Sequence, residues 1–209
     1  MTPIRTLLVC GGPIHDWRAV GDVMDATLRS SSEFDVTRID DDLTVFADPN
    51  LEAYDVIVFY WTRGEITDEQ MNGLSRFVKS GKGFVGVHGA TASFRESPEF
   101  HEFLGGLFIK HPEPRHYSVS IRDTEHPITA GLDSEFTIFD EQYTFDYDPR
   151  VNVLATALWQ GHAHPVIWTK PWGSGRVTYF SLGHDGEIAK QPQFADLLVR
   201  CTRWAGCPE

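Results

Sequence analysis

The stretch Gly81-Lys-Gly-Phe-Val-Gly-Val-His-Gly-Ala-Thr-Ala-Ser-Phe94 decides how the chain is read. Gly81 reads as a helix stop. Phe84 to Val87 is a short apolar run of strand type, and it breaks at His88-Gly89-Ala90, where the backbone must turn sharply. Ser97-Pro98 then opens a helix. Strand, tight turn and helix place one side chain at the carboxyl edge of a parallel sheet, where open α/β sheets bind ligands. In elbows of this kind the residue at the turn is the reactive one, and small neighbours make room for it. Here it is His88, flanked by Gly86, Gly89 and Ala90. The plainer alternative is a histidine that ends a strand and is satisfied by a backbone carbonyl. No cysteine or serine stands at the turn, which argues against nucleophilic acyl transfer.

Outward toward the amino end the same grammar repeats. Thr6 to Cys10 is a nearly continuous apolar run, as in a strand buried on both faces. Gly11-Gly12-Pro13 and His15-Asp16 follow, with Asp16 as N-cap of a helix carrying Trp17, Val20, Met24 and Leu28. The glycine pair is not a phosphate loop, since the lysine, the hydroxyl residue and the full glycine pattern are missing. Phe34 to Ile39 alternates like a strand nearer an edge and runs into Asp40-Asp41-Asp42; three consecutive carboxylates could hold a metal, but such a run is more often a solvated loop. Tyr54 to Trp61 is the clearest central strand. Thr67-Asp-Glu-Gln70 is a capping-box start, and Met71, Leu74, Phe77 and Val78 form the buried stripe behind it. This first half reads β-α-β-β-α-β-α, a doubly wound, mostly parallel sheet with helices on both faces.

Beyond His88 the next helix carries Phe100, Phe103, Leu104 and Leu107. His101-Glu102 is not a zinc-protease motif, because Gly105 stands where the second histidine belongs. From about 105 to 150 short strands (Tyr117 to Ile121, Phe136 to Phe139) and prolines replace helical periodicity. This reads as a β-rich insertion after the elbow strand, folding over the sheet edge and supplying side chains to a cleft. It contains His111, His116, His126 and Asp140-Glu-Gln-Tyr143. Val151 to Ala157 is a further strand. His162-Ala-His164 has the spacing of two ligands on one side of a strand, but Gly161 and Pro165 suggest a loop. Val166 to Thr169 and Arg176 to Ser181 pair around Trp172-Gly-Ser-Gly175. Gly183-His184-Asp185 follows, and Pro192 opens a last helix buried through Phe194, Leu197, Leu198, Cys201 and Trp204. With no linker or repeat, residues 1–209 are expected to form one domain.

The 209 residues can bury a core without disulfide or metal. A net charge of -12 argues against nucleic acid or an anionic membrane surface as partner. No signal segment or membrane-spanning run is expected, and the three cysteines lack paired spacing, as suits the cytoplasm. Six tryptophans are compatible with a sugar site, though core packing explains them as well. Oligomeric state is open, a homo-oligomer included.

His15, Trp61, His88 and His184 all follow predicted strands. If those strands are parallel, the four share one edge of the sheet, which is worth more than any single histidine. Imidazole is the side chain best placed to exchange protons near neutral pH. Glu141 is a partner carboxylate, orienting an imidazole or acting as acid, or else a capping or surface residue.

Several stretches together resemble the ThuA-like (trehalose-utilisation) family, within the class I glutamine-amidotransferase-like fold. They are Gly83-Phe-Val-Gly-Val-His-Gly-Ala90, His126-Pro-Ile-Thr-Ala-Gly-Leu132, Asp140-Glu-Gln-Tyr143, Pro165-Val-Ile-Trp168, Gly173-Ser-Gly-Arg176 and Gly183-His184. The resemblance covers nearly the whole chain and implies a flavodoxin-like sheet. In true amidotransferases of this fold the elbow residue is cysteine; His88 in its place implies that glutaminase activity is absent. The resemblance also implies a small sugar as substrate, and 3-keto-glycosides made by a partner sugar dehydrogenase in particular. On that reading His88 or His184 is the base, and Glu141 the acid or orienting partner. His15, His111, His116 and Tyr143 bind hydroxyls or polarise the ketone, and Trp61 offers a stacking surface. Two other expectations stand beside it: the same histidines hold a divalent metal, or the chain is a non-catalytic sugar-binding protein on a decayed scaffold.

Overall fold

Leu7, Leu8, Val9 and Cys10 are consecutive and all fully buried. That is only feasible if both faces of their strand are covered. A computed structural model describing residues 2–207 shows how. In chain order the elements are β1 (Ile4–Gly11), α1 (Trp17–Arg29), β2 (Phe34–Asp40), β3 (Val56–Trp61), α2 (Asp68–Lys79), β4 (Gly83–Val87), α3 (Pro98–Leu104), β5 (Gly106–Lys110), β6 (Arg115–Ile121), β7 (Glu135–Asp140), β8 (Thr144–Tyr147), β9 (Asn152–Trp159), β10 (His162–Trp172), β11 (Gly175–Phe180), α4 (Gly186–Ala189) and α5 (Pro192–Gly206).

One sheet runs β2-β1-β3-β4-β11-β10-β9-β6-β7. The strands β2, β1, β3, β4 and β11 are mutually parallel. From β11 outward every pairing is antiparallel. Alternation along β1 sends Leu8 and Cys10 into a core with α1 and α5 residues such as Met24 and Leu198. Leu7 and Val9 enter a second core with Leu74 and Phe77 of α2 and Phe100 of α3. The helix boundaries follow local chemistry. The Asp16 carboxylate accepts the Ala19 N–H, and Thr67 and Gln70 form the reciprocal capping box of α2. Gly81 carries the positive φ of +110° needed to leave α2 and enter β4.

The region 105–150 divides. Its β6 and β7 extend the large sheet, while β5 and β8 pair with each other as a separate ribbon. The loop expected at His162-Ala-His164 is instead the start of β10. Gln160 and Gly161, at φ +51° and +80°, make a two-residue hairpin turn, so pairing with β9 begins at His162.

Candidate functional site

The carboxyl ends of β1, β3, β4 and β11 lie side by side, and the loops leaving them hold the histidines. His88 is the first residue after β4 and is fully buried. Its φ of +43° is a left-handed conformation that costs a side-chain-bearing residue about 1–2 kcal/mol. Small neighbours are required: a Cβ on Gly89 would collide with Thr62, and one on Gly86 would meet Leu104 at 2.7 Å. The His88 Nδ1 lies 2.7 Å from the Ser181 carbonyl oxygen. A carbonyl only accepts, so Nδ1 carries a proton and Nε2 is the nitrogen left for the cluster. That Nε2 faces Glu141 Oε2 at 3.4 Å. One His88 nitrogen is thus bonded to backbone, and the other faces the cluster.

Glu141 follows β7, the far edge strand, yet it sits among the histidines. Its Oε2 is 3.1 Å from His184 Nδ1, and its Oε1 is 3.5 Å from His111 Nε2. Burial pushes the Glu141 carboxyl up, and the His184 and His88 rings more than reverse this, leaving it well below the usual carboxylate range. The contact with Glu141 in turn raises His184. His15 approaches from the loop after β1. Its ring centroid lies 4.8 Å from that of His88 and 5.2 Å from that of His184, and its Nδ1 is 2.6 Å from Thr62 Oγ1. Burial, reinforced by His88 and His184, lowers its pKa to about 3, so the ring is neutral. Tyr143 packs its ring 4.4 Å from that of His88, and burial holds its phenol protonated. His111 stacks on Tyr143 on the more open side, its Nδ1 bonded to the Pro112 carbonyl.

Trp61, at the end of β3, is nearly buried, and its indole Nε1 has no partner among the described residues. It lines a cavity of about 430 Å³ with Gly12, His15, Trp17, Arg18 and Asp41, which opens beside the histidine cluster. His116 is not gathered in. Alternation along β6 turns Tyr117 inward and His116 outward, against Phe139. His164 packs on Trp159 in the β9–β10 hairpin, remote in sequence and topology from the cluster.

Three positioning residues escape a reading of the sequence. Ser181 and Thr62 orient imidazoles. Asp140, fully buried, accepts the N–H groups of Gly183 at 2.7 Å, Glu141 at 2.7 Å and His184 at 3.3 Å. It ties the end of β7 to the loop after β11 and so sets Glu141 opposite His184. Only the unbroken polar run Asp140-Glu141-Gln142 at a strand end hinted at it.

The arrangement defines an α/β protein with a buried imidazole–carboxylate centre at the carboxyl edge of its parallel strands, the place where such sheets bind small ligands. More particularly, the chain belongs to the ThuA family, described as trehalose utilisation, whose model matches residues 5–205. Two ThuA-like protein structures share its fold. One from Parabacteroides merdae has a TM-score of 0.88 at 23% identity, covering 98% of this chain and 90% of that one. Another, from Bacteroides uniformis, has a TM-score of 0.82 at 21% identity, covering 98% and 92%. A cytoplasmic protein of Salmonella typhimurium follows at 0.72 and 15% identity, covering 98% and 100%. No curated protein sequence matches the chain. Among the described residues no helix is long and apolar enough to cross a membrane.

Proposed function

We propose that this chain is an enzyme of sugar metabolism that cleaves keto-glycosides, such as 3-keto-disaccharides, by elimination and hydration. The supporting observation is the convergence of His88, His184 and Glu141, from three separate strand ends, on one point. A ketone acidifies the hydrogen on the adjacent carbon. An imidazole of the cluster accepts that proton, and the electron pair forms a carbon–carbon double bond. The glycosidic C–O bond on the next carbon breaks, and its oxygen leaves with a proton. Water then adds to the enone, giving a free keto-sugar and the aglycone with no net oxidation or reduction. Imidazoles facing an ionised carboxylate supply a proton acceptor, a donor and a charge partner without the paired carboxylates of ordinary glycosidases. Trp61 and the cavity beside it suit a sugar ring. A dehydrogenase-type reaction must supply the ketone.

The test is sugar release from 3-keto-trehalose, with trehalose as control. Cleavage of the keto form alone is expected, falling at least about 100-fold in both His88→Ala and His184→Ala. Full turnover in both variants, or cleavage of neither sugar by the wild-type chain, overturns the reading. Tight sugar binding without turnover would then favour a binding protein.

A further inference from the structure

His88 Nε2, His184 Nδ1 and Glu141 Oε2 are buried, and none has a hydrogen-bond partner among the described residues. Such atoms are costly to bury unpaired. They point at one another, and with His15 they form a set whose ligand-capable atoms all lie within 4.8 Å of one another. Four ligands held at about 2.1 Å around a tetrahedral ion stand about 3.4 Å apart. The His184–Glu141 and His88–Glu141 separations, 3.1 and 3.4 Å, already have that size.

The supporting bonds are those of metal-ligating histidines. The His88 Nδ1–H is fixed by the Ser181 carbonyl, which aims Nε2 into the cluster. His15 Nδ1 is held by Thr62 Oγ1, and donation from Nδ1 leaves Nε2 as the free nitrogen. Glu141 and His184 are set by the three N–H bonds of Asp140.

We infer that His15, His88, His184 and Glu141 form a binding site for one divalent first-row transition cation. Three imidazoles and one carboxylate suit Zn²⁺, Mn²⁺, Co²⁺ or Fe²⁺, and offer too few oxygens for Ca²⁺ or Mg²⁺. The inference deepens the reaction proposed above and rests on it for the cation's role, though not for its binding. A cation here would offer a Lewis acid to the ketone oxygen. The imidazole left to take the proton is then His111, which faces Glu141 Oε1 from the open side.

The test uses the full chain stripped with chelator and titrated calorimetrically with ZnCl₂ and MnCl₂. The visible spectrum of the Co²⁺-loaded protein reports the coordination. One equivalent per chain is expected, with the intense bands of four-coordinate Co²⁺. His15→Ala and His184→Ala, both at incompletely buried positions, are expected to weaken binding at least about 100-fold and remove those bands. The doubly substituted hairpin variant His162→Ala, His164→Ala keeps them. No binding of any of the three ions by the wild type overturns the inference. So does binding undiminished in the site variants, or diminished equally in the hairpin variant. Turnover is read separately: a chain that binds the cation and cleaves no keto-glycoside overturns the reaction and leaves the site standing, and the converse result does the opposite.

Discussion

The two ends of the parallel strands treat a carboxylate in opposite ways. At the amino ends of β1, β3 and β4, Asp55 is surrounded by donors. It accepts the Arg5 backbone N–H and Nε at 3.0 Å, the Arg5 Nη2 at 2.7 Å and the Lys82 Nζ at 3.1 Å. At the carboxyl end, Glu141 is surrounded by imidazoles, and its Oε2 finds no hydrogen bond. Arg5 and Lys82 are permanent cations that can do nothing but neutralise, so Asp55 is a clamp between strands. Imidazoles can hold or release a proton or bind a metal, so the Glu141 cluster retains unused bonding capacity. Permanent cations around a carboxylate mark where the sheet is held together, and titratable partners around one mark the candidate site.

Glu141→Gln breaks that comparison most severely. It is expected to lower keto-glycoside turnover at least about 100-fold while moving the melting temperature of the chelator-treated protein by only a few degrees. A large loss of stability in calorimetry would make Glu141 a clamp like Asp55. Asp140→Ala belongs to both categories. It strands three N–H groups, two of them in buried bonds, so it is expected to cost about 3 kcal/mol in denaturant unfolding and to reduce turnover by releasing Glu141 and His184. Retained turnover would show that Glu141 does not need that support.

Asp55→Asn has the smallest effect, about 1 kcal/mol, with turnover unchanged. The Asp55 carboxyl is held down to about 2, above all by its bond to Arg5. Its contribution is therefore whole above the unfolded value of about 3.9 and is lost as pH falls through about 2. The wild type should lose part of its stability over that window, and the variant should lose less. Equal acid profiles would remove Asp55 from the list of clamps.

How much of this was legible in the sequence depended on distance along the chain. The order β-α-β-β-α-β-α, the caps at Asp16 and Thr67 and the turn at His88 rest on residues a few positions apart, and the structure has them. Convergence of His15, His88 and His184 followed from parallel strands sharing an edge. The role of Asp140 was barely hinted at, because its partners in the loop after β11 lie 43 and 44 residues away. The fate of β6 and β7 was equally hidden. An alternating strand has the same pattern whether it covers a sheet edge or continues the sheet, and only pairing with β9 decides. His116 could have been set aside, since period-two alternation with the apolar Tyr117 and Val119 already turns it outward.

The bonds of Asp140 also set a sequence of events. In the sheet, β7 stands four strands away from β11, yet its last residue holds the loop that follows β11. That contact spans 43 residues, whereas the bond from His88 to Ser181 at the end of β11 spans 93, so β11 and the loop after it belong among the later parts to join. A chain paired only as far as β4 holds His15 and His88 but lacks His184 and the loop that Asp140 ties to Glu141. Reactivity thus arrives with completion of folding, and an incomplete molecule carries the scaffold without the chemistry.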